Sequence, residues 1–142
     1  LAWDAPAPFA EGSLGEALLA PTEIYVRPAL AAVRAGGVHG LAHITGGGLT
    51  ENIPRLLPSG LRAEIDLAAW SLPPVFQWLV QAAGLAEAET LKTFNCGMGL
   101  VLAVAPDRAE ALAGVLAAEG YPATPIGRIG PGEGIAFHGN LT

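Results

Sequence analysis

The 142 residues carry thirteen acidic against seven basic side chains, for a net charge of −6, and 51% of them are apolar while only 14% are charged. That balance excludes a disordered chain, and it excludes a general binder of nucleic acid or anionic membrane, because seven dispersed cations cannot form a stripe that tracks phosphates. One cysteine excludes an internal disulfide and fits a reducing cytoplasm, and Cys96 with only His39, His43 and His138 supplies no zinc framework.

A chain of this length is one domain. Its mean hydropathy of +0.44 is high for a small free-standing domain. Such a value is expected where part of the surface packs on another domain or subunit, although the abundance of alanine raises it too. The longest uncharged apolar run, Gly97 to Pro106, is about half of the ~20 residues that a membrane helix needs. The start at Leu1 has neither the basic end nor the long apolar centre of a signal peptide, and without an initiator Met it reads as the interior of a longer protein.

Leu1 to Gly15 carries two prolines and two glycines around the isolated aromatics Trp3 and Phe9 and reads as an irregular surface segment. Beyond Ile24-Tyr25-Val26, Pro28 suits a first helical turn, and the spacing predicts a helix to about Arg34, stopped by Gly36-Gly37. Val38 to Thr45 reads as a buried strand that carries His39, His43 and Ile44 toward three glycines. A short helix capped by Thr50 should run through Arg55 or Leu57, ended by Pro58-Ser59-Gly60. Leu61 to Leu67 alternates apolar and charged residues, the period of a half-exposed strand.

Pro73-Pro74 opens a helix that ends before Gly84, and an acidic helix follows from Ala86 to Lys92. Phe94 to Ala105, continuously apolar from Met98, is expected to be the central strand. Asp107 with Glu110 three positions later reads as a reciprocal cap for a helix reaching Gly120. Pro122 to Ile129 is the last expected strand, and the glycine-rich tail from Gly130 to Thr142 reads as mobile, with His138 a solvated side chain. The connections are short, so helices covering a mixed sheet are expected rather than a doubly wound parallel sheet.

The chain is organised around Ala42-His43-Ile44-Thr45-Gly46-Gly47-Gly48-Leu49-Thr50-Glu51-Asn52-Ile53-Pro54-Arg55. Consecutive glycines carry the largest backbone entropy, so they are used where positive φ or close backbone approach is required. Gly46, Gly47 and Gly48 either form a nest of N–H groups for substrate or phosphate or make a tight strand-to-helix turn. No Gly-Lys-Ser/Thr follows, so this is not a Walker loop.

His43-Ile44-Thr45-Gly46-Gly47-Gly48-Leu49-Thr50-Glu51-Asn52-Ile53-Pro54-Arg55 resembles the signature of the phosphoribosylformylglycinamidine cyclo-ligase (aminoimidazole ribonucleotide synthetase) family. Leu18-Leu19-Ala20-Pro21-Thr22-Glu23-Ile24-Tyr25-Val26 resembles that family's Leu-Leu-x-Pro-Thr-Arg-Ile-Tyr-Val block. Thr93-Phe94-Asn95-Cys96-Gly97-Met98-Gly99 resembles its Thr-Phe-Asn-Cys-Gly block, and the three come in the family's order. Glu23 departs from the pattern, standing where the family usually has Arg.

The resemblance covers only the family's second half. It implies an α+β domain in α/β/α layers, related in topology to ferredoxin-like folds. It implies a cytoplasmic homodimer of purine biosynthesis whose ATP and Mg²⁺ lie mainly on an amino-terminal domain absent from these residues. It also implies that an earlier segment, resembling Gly-x-His-Ser-Asn-Gly-x-Ser-Leu-Val-Arg, belongs to this same domain, which would leave an edge of the sheet incomplete and the fragment inactive alone. The implied substrate is formylglycinamidine ribonucleotide. A related synthase, such as formylglycinamidine synthase, or a binding module that lost catalysis are the competing readings; the former usually carries an acidic loop that His43-Ile44-Thr45-Gly46 does not match.

Ring closure needs phosphoryl charge stabilised and protons managed. His43 is the titratable group beside the glycines, a proton shuttle or phosphate contact, or else a core histidine. Thr45 and Asn52 are candidate ligand contacts, with Thr50 and Asn52 equally suited to capping the next helix. Arg55 either pairs with phosphate or meets a carboxylate on its own helix. Asn95 either orients a ligand amide or holds a turn, and Cys96 reads as a small buried residue. A His39/His43 metal pair lacks a third ligand nearby, and no metal site is assigned.

Overall fold

The computed structural model describes all 142 residues. Its helices are α1 (Leu14–Leu18), α2 (Val26–Ala35), α3 (Gly48–Asn52), α4 (Pro74–Ala83), α5 (Glu87–Thr93) and α6 (Ala109–Ala118). Its strands are β1 (Val38–His43), β2 (Leu61–Asp66), β3 (Leu100–Val104), β4 (Gly127–Pro131) and β5 (Gly134–His138). The architecture is α+β with mixed pairing, divided between two small sheets. β1 pairs antiparallel with β3, while β2 lies between antiparallel β4 and parallel β5.

Local chemistry explains the helix ends. Ser13 Oγ accepts the Glu16 N–H at 3.3 Å and the Glu16 carboxylate takes the Ser13 N–H at 3.0 Å, a capping box that starts α1. α2 begins before Pro28, which sits buried in its first turn, and stops at Gly36 with φ 81°. α4 has Pro74 in its first turn and closes on Gly84 in the left-handed conformation.

The main core joins Ala42 and Ile44, the inward residues of β2, Leu49 of α3, Leu91 of α5 and Trp70. Trp70 donates its indole N–H to the Cys96 carbonyl at 2.9 Å, which satisfies both groups in a buried place. A second cluster, Ala32, Leu112 and Leu116, packs α2 against α6 over Leu102 and Val104. Along the outer side of α2, Val26, Leu30 and Val33 remain exposed. On β2, Glu64 accepts from Arg62 at 2.9 Å and from Arg128 of β4 at 3.0 Å, which holds its carboxyl below the usual range.

Several expectations are corrected. β3 is shorter than Phe94 to Ala105 because Cys96 at φ 52° and Gly97 at φ 89° turn the chain just before it, and it pairs with β1 alone rather than lying centrally in a sheet. β1 is not uniformly buried, since Ala42 points inward while His39, Leu41 and His43 are exposed. Thr50 does not cap a helix: α3 starts on Gly47, and a 3-10 turn at Pro54–Leu56 follows it. Asp107 lies in a 3-10 turn, Pro106–Arg108, and α6 begins after it without a side-chain cap. The strand expected over Pro122 to Ile129 begins only at Gly127, as β4, because Pro122 and Pro125 have no N–H for a ladder, and the tail expected to be mobile supplies the end of β4 and the whole of β5, which finds β2.

Candidate functional site

The glycine stretch divides into a buried half and a presented half. Ile44, Gly48, Leu49, Asn52 and Ile53 are buried, whereas His43, Thr45 and Gly46 face solvent. The Gly48 N–H donates to the Thr45 carbonyl at 3.0 Å, and Gly47 at φ 93°, ψ −7° occupies the third position of the resulting turn. That geometry is type II, in which the third residue needs positive φ. Gly48 itself has φ 55°, and a Cβ there would overlap the Leu91 carbonyl and lie 2.7 Å from the Phe94 oxygen. The three glycines thus build a tight turn, and only the Gly46 and Gly47 N–H groups of the three are left without a partner in the chain.

Asn52 holds this turn from beneath. Its amide nitrogen lies 3.4, 3.2 and 2.8 Å from the carbonyls of Thr45, Gly46 and Gly48, and its oxygen accepts from Arg55 at 3.1 Å. Arg55 also lies 3.8 Å from Glu51, one turn earlier. Asn95 accepts the Gly97 N–H at 3.0 Å through its side chain and so shapes the turn before β3. Cys96, inside that turn, is fully buried, and burial together with Glu87 pushes its thiol up to about 11.

The three sequence blocks converge. Gly48 packs on the backbone of Leu91 and Phe94, and Ile44 donates to the Gly99 carbonyl at 2.9 Å, which docks the glycine turn on the Asn95-Cys96-Gly97 segment. Tyr25 completes the meeting: its ring meets that of His43 edge-on at 5.9 Å, and its hydroxyl rests against Gly99, where no Cβ would fit. Tyr25 also meets Tyr121 edge-on at 5.8 Å, and the Tyr121 hydroxyl donates to Glu23 at 3.1 Å. Desolvation raises the Tyr25 hydroxyl, and the hydrogen bond to Glu23 raises that of Tyr121.

Sequence reasoning singled out His43, Thr45, Gly46, Gly47, Gly48, Asn52 and Asn95; the structure gathers all of them at this junction, with Asn52 and Asn95 bonded to backbone. It did not single out Tyr25 or Tyr121 as neighbours of His43. The Ile24-Tyr25-Val26 block carried a signal for the first, and nothing local marked the second.

No group of three His, Cys, Asp or Glu side chains converges anywhere in the chain, and Glu51, nearest the turn, is turned to Arg55. No helix is long and apolar enough to cross a membrane.

An α+β domain whose presented histidine and glycine turn are assembled from three distant blocks defines the class, and the sequence agrees. The chain belongs to the family of AIR synthase related proteins, C-terminal domain, matched over residues 2–140. Among solved structures it is similar to E. coli HypE, a hydrogenase maturation protein, at 25% identity and a TM-score of 0.68 over 89% of this chain. It also shares its fold with thiamine-monophosphate kinase from Stenotrophomonas maltophilia K279a, at 21% identity and a TM-score of 0.57 over 78% of this chain. The chain spans 40% of the HypE chain and 34% of the kinase.

Proposed function

We propose that the chain is the carboxy-terminal domain of the cyclo-ligase that converts formylglycinamidine ribonucleotide and ATP to aminoimidazole ribonucleotide, ADP and phosphate. The observation that carries this reading is the convergence of the three family-like blocks on His43, with Tyr25 against it and Gly99 beneath Tyr25. In this proposal ATP supplies the phosphoryl group that turns the formyl oxygen into a leaving group, and an amino-terminal domain of the same polypeptide holds most of the nucleotide and its Mg²⁺. The whole enzyme is a cytoplasmic homodimer, with the reaction in the groove between domains.

Within this chain, His43 donates a hydrogen bond to the activated oxygen or moves the proton released as the ring nitrogen attacks. The free N–H groups of Gly46 and Gly47, with the Thr45 hydroxyl, hold anionic oxygen of the substrate. Gly48, Asn52 and Asn95 keep those donors in place through the bonds described above.

The test is ATP turnover and ring closure by the full-length parent protein, wild type against His43→Ala. Loss of about 10²- to 10⁴-fold in kcat with an unchanged melting temperature is the expected result for a general acid or base. Full activity in the variant returns His43 to a packing role against Tyr25, and a wild-type parent without ring closure sinks the assignment.

A further inference from the structure

A histidine that moves protons needs its ring held at a fixed angle, and a hydrogen bond to the second ring nitrogen is the usual means. His43 lacks one: it lies exposed at the end of β1, and no hydrogen bond within the chain reaches its imidazole. Its ring is met instead by that of Tyr25, edge-on at 5.9 Å. The orientation of His43 therefore depends on whatever holds Tyr25.

Tyr25 is held by groups far from it in the chain. Its hydroxyl rests in the space that Gly99 leaves open, and its ring meets that of Tyr121 edge-on at 5.8 Å. Tyr121 stands just past α6, where its N–H closes on the Leu116 carbonyl at 2.9 Å. Its hydroxyl then reaches back 98 positions and donates to Glu23 at 3.1 Å. Between Ala20 and Ile24 no backbone group is bonded within the chain, so this hook fixes the segment that leads into Tyr25. A second tie joins the same two segments, Arg27 to Glu119 at 2.6 Å. Glu23 stands where the similar family block has arginine, a side chain with no acceptor for the Tyr121 O–H. The hook thus comes with this chain's departure from the block.

We propose that Tyr121 and Glu23 are positioning residues for His43 and act through Tyr25. The bond from hydroxyl to carboxylate holds the Tyr121 ring against Tyr25, and Tyr25 holds the imidazole at the angle that proton transfer requires. The inference rests on the reading above that His43 takes part in ring closure. A reacting group misplaced by about 1 Å can cost on the order of 100-fold in rate. One hydrogen bond of ordinary strength corresponds to about 2- to 10-fold, so the hook tunes turnover and does not switch it off.

The test uses the full-length parent with Tyr121→Phe, Glu23→Leu, Glu23→Gln and Arg27→Gln. It reads kcat, KM and the NMR signals of the His43 ring protons, assigned by their loss in His43→Ala. Tyr121→Phe and Glu23→Leu should each lower kcat about 2- to 10-fold at unchanged KM and move the His43 signals as the Tyr25 ring shifts. The double variant should be no worse than either alone, because both remove the same bond. Glu23→Gln keeps an acceptor oxygen and should restore both readings. Arg27→Gln, which breaks the other tie, should leave both at wild type. Losses that add in the double variant overturn the proposal. An Arg27→Gln effect as large as that of Tyr121→Phe does so too, since it would mean a general loosening of α2 on α6. His43 signals unmoved in Tyr121→Phe overturn it whatever the turnover. A parent lacking cyclo-ligase turnover whose His43 signals still respond to Tyr121→Phe and Glu23→Leu, and not to Arg27→Gln, sinks the proposed function and leaves the positioning of His43 standing.

Discussion

Replacing the three glycines of the turn one at a time with alanine separates a backbone requirement from mere proximity to a site. At Gly48 the new Cβ overlaps the Leu91 carbonyl and sits 2.7 Å from the Phe94 oxygen, both backbone atoms that cannot swing aside. The φ of 55° adds the left-handed penalty of about 1–2 kcal/mol. Displacing α5 and the segment after it to admit the methyl costs about 1–3 kcal/mol more. A loss on the order of 2–5 kcal/mol lowers Tm by roughly 10 °C for a domain of this size. At Gly47 the φ of 93° imposes its own strain, but the groups in the way, 2.7 and 2.8 Å from the Cβ, belong to the Glu51 side chain, which can rearrange in part. At Gly46 nothing lies within 4 Å and φ is ordinary, so alanine should stay within about 0.5 kcal/mol of wild type. Thermal and urea denaturation followed by circular dichroism should therefore rank the variants Gly48→Ala, Gly47→Ala, Gly46→Ala, most damaging first. The reasoning is refuted by a Gly48→Ala protein that melts within about 2 °C of wild type, or by a Gly46→Ala protein that is the least stable of the three.

Asn52→Ala removes the donor shared by three carbonyls and one acceptor of the exposed Arg55 guanidinium; a cost of about 1–3 kcal/mol is expected in denaturant, and a shift no larger than that of an exposed control would deny Asn52 its place under the turn. Cys96 is buried and its thiol is raised to about 11 from an ordinary value near 9. The folded state thus favours the neutral thiol, so this contribution is whole below pH 9 and is lost as pH rises toward 11, by on the order of 2–3 kcal/mol. Stability measured from pH 8 to 11 should fall more steeply in wild type than in Cys96→Ala, and a disulfide reagent should label Cys96 only at the rate of unfolding; rapid labelling of the native protein would contradict its burial.

The parts of the fold that could be read in the sequence are those set by neighbours along the chain. Gly36, Gly84 and Gly120 marked helix ends because positive φ is a local demand, and Pro73-Pro74 marked the start of α4 for the same kind of reason. Ser13 and Glu16 form a Ser-x-x-Glu pattern that would have located α1, had the prolines around it not suggested an irregular segment throughout. The strands were harder, because whether Leu100–Val104 is central depends on who sits beside it, and hydropathy does not encode that. β5 was hidden for a related reason: its glycines read as a flexible tail, and its order comes from β2, far away in the chain. At the site, His43 and the glycines were visible as types, yet the exposure of His43 follows from the alternation of β1 and its contact with Tyr25 from the packing of α2.

The placement of β2 between β4 and β5 sets an order of events during synthesis. Leu61–Asp66 leaves the ribosome long before either of its partners, which both lie within Gly127–His138. Until then Ala63 and Ile65, nearly inaccessible in the finished domain, belong to a strand with two bare edges. A transcript cut short before Gly127 would release a polypeptide with that strand still open, a template for association with its own kind. Nascent chains of this protein therefore have their greatest need of a chaperone in the interval between the emergence of β2 and that of the final hairpin-like turn at Gly132, whose N–H closes onto Gly60.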